Sequence, residues 1–65
     1  MTFNEAKFLK LLKEWKLADY WNRQDDEYRK NIIDIANEDW EALGYDGPET
    51  AAMRIVYHNA LDDRG

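Results

Sequence analysis

The chain has 65 residues, with 9 basic and 14 acidic side chains, one His and no Cys, for a net charge of −5. A chain this short buries only roughly 60% of the surface that its unfolded form exposes, which excludes a large enzyme with an enclosed cleft. Without cysteine there is no disulfide framework, thiolate metal site or Cys nucleophile, whereas 45% hydrophobic and 14% aromatic residues are too many for a disordered chain.

The N-terminal stretch from Met1 to Lys16 carries a charge every few residues. It lacks the apolar run of a signal peptide and the roughly 20 apolar residues of a membrane span, so a cytoplasmic protein without membrane contact is expected. A start at Met1 with no tag or linker scar reads as a small complete reading frame. Thr2 can cap a first helix, with Glu5 three residues on as a capping box requires. Phe8, Leu11, Leu12, Trp15 and Ala18 then fall within about 120° of one helical face, which predicts a helix over 3–19 with that stripe in the core. Lys7, Lys10, Lys13, Glu14 and Lys16 take up most of the remaining circumference, and Leu9 and Leu17 lie off the stripe.

A polar break at Asn22-Arg23-Gln24-Asp25 precedes the second helix, expected over 25–43, where Asp25 or Asp26 can accept from the free N–H groups of the first turn. Its apolar face is Ile32, Ile33, Ala36, Trp40 and Leu43. The helix is read as continuous through Asn37, with Gly44 as the left-handed stop. The third helix, expected over 48–62, has the sharpest start: Asp46-Gly47-Pro48-Glu49 places proline in the first turn and acids at the positive helix end. Ala52, Met53, Val56, Tyr57, Ala60 and Leu61 form its apolar face, and Asp62 and Asp63 at the negative end predict fraying of the last four residues. Three amphipathic helices joined by short turns give an all-α, three-helix bundle formed by residues 1–65 as one domain.

Catalytic chemistry is thinly supplied. His58 has one candidate partner a helical turn away, Asp62, and no identifiable nucleophile, because Thr2 and Thr50 are explained by helix starts. No catalytic residue is therefore assigned and an enzyme is not expected. Asp25-Asp26-Glu27 lacks the alternate spacing, central Gly and closing Glu of a calcium loop, and Asp62-Asp63 is terminal, so neither a metal nor a cofactor is assigned. Nucleic-acid binding is disfavoured: every Lys except Lys30 lies in the first helix, and residues 31–53 hold six acidic side chains and no basic one.

The charge is divided along the chain. Residues 1–18 carry four Lys against two Glu, and residues 19–65 carry five basic against twelve acidic groups, a net +2 beside a net −7. Glu27, Asp34, Glu38 and Glu41 share an arc of about 60° on the second helix, an acidic stripe suited to steering a basic partner. The nine aromatic residues exceed what the core stripes account for, leaving Phe3, Tyr20, Trp21 and Tyr45 near the turns and termini. Aromatics of this kind are enriched at interface hot spots.

The run Asn4-Glu5-Ala6-Lys7-Phe8-Leu9-Lys10-Leu11-Leu12 resembles the first helix of the acidic colicin immunity proteins, four-helix bundles that block nucleases. The resemblance covers nine residues of amphipathic helix. The Tyr-Tyr-Pro segment with which those proteins bind their nuclease is absent, and no residue is carried over.

The expected function is that of a small acidic regulator or inhibitor, of a kind encoded by phages and other mobile elements, docking on a larger protein with a basic surface. The expected contact residues are Glu27, Asp34, Glu38 and Glu41 together with Trp21 and Tyr45. A structural homo-oligomer, at simplest a homodimer, with Leu9, Leu17 and Ile55 as a self-complementary seam is the alternative. A DNA-contacting protein using the lysines of the first helix is the third.

Overall fold

In the computed structural model, which describes residues 3–64, the chain is built from four α-helices, with no strand among those residues. They are α1 (Glu5–Glu14), α2 (Ala18–Arg23), α3 (Asp26–Asp39) and α4 (Pro48–Arg64). The all-helical class agrees with the sequence; the expected count of three does not, because the segment read as one helix over 3–19 is cut near its end and a fourth, short helix follows.

The cut has a specific backbone cause. Lys16 adopts φ +59°, the left-handed region. Its N–H donates to the Lys13 carbonyl at 3.1 Å and the next N–H, that of Leu17, donates to the Leu12 carbonyl at 2.7 Å. This pair of bonds is the Schellman closure, and the apolar contact that accompanies such closures is supplied by Leu12 and Leu17, both buried. Leu17, which the periodicity of a continuous helix leaves off the core stripe, is thereby turned inward. Trp15, expected in the core, is turned out and is 41% exposed. At the other end of α1 the observed N-cap is Asn4, whose side chain accepts from the Lys7 N–H at 3.1 Å. The cap expected at Thr2 lies outside the described residues.

α3 starts as expected, with the Asp25 carboxylate accepting from the Tyr28 N–H at 2.8 Å. It runs unbroken through Asn37 and its regular portion ends at Asp39, four residues short of the expected end. The chain then makes one looser turn. Gly44 takes φ +85°, its N–H donates to the Glu41 carbonyl at 3.1 Å, and the Tyr45 N–H donates to the Trp40 carbonyl at 3.0 Å. This is a second Schellman closure, with glycine at the left-handed position that the sequence marks as the stop. Leu43, assigned to the apolar face, sits in that turn and is exposed.

α4 is the central element, packed against α1 and α3, while α2 lies against α1. That position explains its composition. Three consecutive residues, Ala51, Ala52 and Met53, are buried, which a helix with one buried stripe does not allow and a helix with neighbours on two sides requires. The alanines let the neighbouring backbones approach closely. Phe8, Leu12 and Val56 are the largest fully buried side chains, and Leu17, Trp21, Ile32, Ala36 and Ala60 complete the core around them. Leu61, expected on the buried face, is exposed. The helix extends to Arg64, two residues past the expected end at 62, and Asp63 in its last turn accepts from the Tyr20 hydroxyl at 2.7 Å.

Candidate docking surface

The acidic residues singled out from the sequence are all exposed. Glu27, Asp34 and Glu38 lie on the outer side of α3, opposite Ile32 and Ala36, and Glu41 continues past the helix end in the turn before Gly44. The two ion pairs among the described residues are Lys7 with Glu49 and Arg29 with Asp26. Neither takes a member of this stripe. Its four carboxylates are thus exposed and outside the ion pairs among the described residues, with Lys30 one helical turn from Glu27 and Asp34, and Ile35, 43% exposed, stands beside them with Asp39 and Glu38 a helical turn away.

The aromatics expected to join this surface lie elsewhere. Trp21 is only 6% exposed and belongs to the core. Its ring meets Phe8 edge-on at 4.9 Å between centroids and Tyr28 at 6.4 Å, extending a series that begins with Phe3 on Phe8 at 5.3 Å. Tyr45 is half-buried and packs against the core, as do Phe3 and Tyr20. The apparent surplus of aromatics is used to close the ends of the bundle. The aromatic that the fold presents is Trp15, packed edge-on against Tyr57 at 5.1 Å, with the Arg54 guanidinium 5.4 Å from the Trp15 ring centroid and 5.6 Å from that of Tyr57. Stacking of this kind holds the cation over the ring faces. Periodicity assigns Trp15 to the core stripe; its N–H keeps the helical bond to the Leu11 carbonyl, and its ring lies against Tyr57 and Arg54 with 41% of its surface open.

Two polar arrangements tie the elements together and were not foreseen. Glu49, assigned only a role at the start of its own helix, is 7% exposed and reaches across to α1. Its carboxylate accepts from the Asn4 backbone N–H at 2.9 Å and lies 3.9 Å from Lys7 Nζ, joining the first turns of α1 and α4. In the second arrangement, Tyr20 of α2 donates to Asp63 of α4, and Asn59 of α4 donates to the Tyr28 hydroxyl of α3 at 2.8 Å. Burial, then the hydrogen bonds with Asp63 and Tyr28, push the Tyr20 hydroxyl well above the ordinary tyrosine range.

On the other side of the molecule, Ala6, Leu9, Lys10 and Lys13 of α1 and Ala18 and Trp21 of α2 line an open groove. Leu9 is 41% exposed at its centre. The seam proposed for a self-complementary oligomer is not assembled: Leu17 is buried and Ile55 half-buried, leaving Leu9 as its exposed member. Among the described residues no group of three His, Cys, Asp or Glu is placed to hold a metal ion, and no helix is long and apolar enough to cross a membrane. No family model, curated protein or solved structure matches the chain, and the resemblance of α1 to one helix of the immunity proteins carries no family assignment.

Proposed function

We propose that the protein acts by docking, as a small acidic regulator or inhibitor, on a basic surface of a larger protein, through the outer face of α3. The observation that supports this reading is the row of exposed carboxylates of Glu27, Asp34, Glu38 and Glu41, outside the ion pairs among the described residues and bordered by the exposed aliphatic Ile35. Exposed Lys30 stands on the same side of α3, three residues from Glu27 and four from Asp34, and leaves the carboxylates in excess there. An excess of one charge on a helix face speeds encounter with a surface of opposite sign, and an aliphatic beside it supplies the desolvated contact that holds the complex. Trp21 and Tyr45 leave the contact set, since both rings are committed to the core; Ile35 takes their place.

Changing Asp34, Glu38 and Glu41 together to Lys reverses the field of this face at exposed positions and leaves the core untouched. The variant is expected to keep its helical circular dichroism and to lose capture of the partner from a lysate of the source cell. The kind of element that encodes such a regulator, a phage or another mobile element, is part of the same proposal and rests on small size and acidity.

A further inference from the structure

Among the described residues four large aliphatic side chains are exposed, Leu9, Ile35, Leu43 and Leu61, and of these Leu9 and Ile35 stand beside charges of opposite sign. Leu9 lies in the α1–α2 groove with Lys10 and Lys13 after it and Glu5 a helical turn before it, and Ile35 projects from α3 beside Glu38 and Asp39. The groove is lined by alanines at Ala6 and Ala18, which leave room for an incoming side chain. Among the described residues neither lysine and neither acid takes part in an ion pair. One surface is thus the counterpart of the other in charge, each with an exposed aliphatic side chain, and the two lie on different helices, α1–α2 and α3, with α4 packed against both α1 and α3.

We propose that α3 of one copy seats Ile35 in the α1–α2 groove of a second copy, with Glu38 and Asp39 meeting Lys10 and Lys13, so that the chain associates head to tail. The contact is heterologous, because the surface given differs from the surface received; copies therefore add in sequence. A single short helix laid in a shallow groove falls below the roughly 1,200 Å² of a standard interface, so the association is weak, reversible and dependent on concentration and salt. This inference rests on the reading of α3 as a docking face, and it gives that face a regulation: a second copy and a basic partner compete for it, and the acidic face is covered at high local concentration.

Light scattering after size exclusion, or sedimentation, tests it with the full chain. At about 20 mM salt, where the screening length is well beyond 10 Å, the mean mass of the wild type is expected to rise from 7.8 kDa to twofold or more with concentration. It returns to the monomer value at high salt. Leu9→Glu blocks the groove and Ile35→Glu spoils the α3 face, and each alone is expected to remain monomeric. Mixed in equal amounts they should form a 1:1 pair and nothing larger, because one intact groove and one intact α3 face remain between them. A wild type that stays monomeric throughout, a single variant that associates like the wild type, or a mixture that stays monomeric overturns the proposal. If Leu9→Glu does not fold, the pair Lys10→Glu and Lys13→Glu blocks the same groove from its rim. Because both groove variants leave α3 intact, loss of self-association with retained partner capture separates this proposal from the proposed function.

Discussion

Replacing Lys16 by glycine removes the one left-handed non-glycine residue that the backbone contains among its described residues. At φ +59° a residue with a Cβ pays roughly 1–2 kcal/mol in contact between that carbon and the neighbouring carbonyl. Glycine avoids this cost and gives back about 0.5–1 kcal/mol through the greater freedom of its unfolded chain. The net expectation is a stabilisation of about 0.5–1 kcal/mol, which for a domain of this size is a rise of about 3–6 °C in Tm. Lys16 makes no ion pair among the described residues, so removing its side chain takes little else away. Urea unfolding followed by circular dichroism measures the change, which should raise the midpoint at constant m value. Lys16→Ala is the control: it removes the same side chain, keeps the Cβ, and should leave the midpoint nearly where it was. The reverse experiment is Gly44→Ala, at φ +85° with open space around an added Cβ, so that its expected loss of about 0.5–1 kcal/mol is backbone strain less the gain from a stiffer unfolded chain, with no clash added. A midpoint unchanged or lowered by Lys16→Gly, or raised equally by Lys16→Ala, refutes the account of how α1 ends.

The remaining predictions concern the ties between helices. Glu49→Ala removes the acceptor of the Asn4 N–H and should cost about 1–2 kcal/mol in thermal or urea unfolding, with Glu49→Gln, which keeps an acceptor oxygen, costing less. Tyr20 has its pKa raised above the ordinary value of 10.0 by burial first and by its hydrogen bonds second. Its neutral form is therefore favoured by folding, so the stability it contributes is present below about pH 10 and is lost as the pH rises through the higher folded value. Urea midpoints measured from neutral to strongly alkaline pH should fall at the alkaline end, and Tyr20→Phe should flatten that fall. Trp21→Ala should destabilise by about 3–5 kcal/mol, enough to unfold much of a small domain, whereas Trp15→Ala at its exposed position should cost no more than about 1 kcal/mol.

Legibility of the fold followed the strength of the local signals. The starts at Asp25 and at Asp46-Gly47-Pro48-Glu49 were readable because capping carboxylates and proline act on their own helix turn, and Gly44 was readable because glycine is the residue suited to a left-handed stop. The end of α1 was hidden for the converse reason. Its left-handed position holds Lys16, which carries no such mark, and what sustains it is the burial of Leu17 against Leu12, a tertiary matter. The later misplacements follow from that turn: Leu17 inward, Ala18–Arg23 as a separate helix, and Trp21 brought against Phe8. The acidic stripe survived because charged residues on the side of α3 opposite Ile32 and Ala36 remain exposed whichever residue ends the helix. Glu49 and Tyr20 were missed as cross-links because their partners, Asn4 and Asp63, are 45 and 43 residues away in the chain.

The central claim is that the outer face of α3 is a docking face for a basic partner. Its most direct test compares the wild type with the Asp34→Lys, Glu38→Lys, Glu41→Lys variant for capture of a protein from the source lysate at two salt concentrations, with circular dichroism of both as the check on folding. The account predicts capture by the wild type that weakens as salt rises, and a variant that is equally helical and captures at least about tenfold less. Capture by the folded variant that matches the wild type, or a wild type whose capture does not respond to salt, contradicts it.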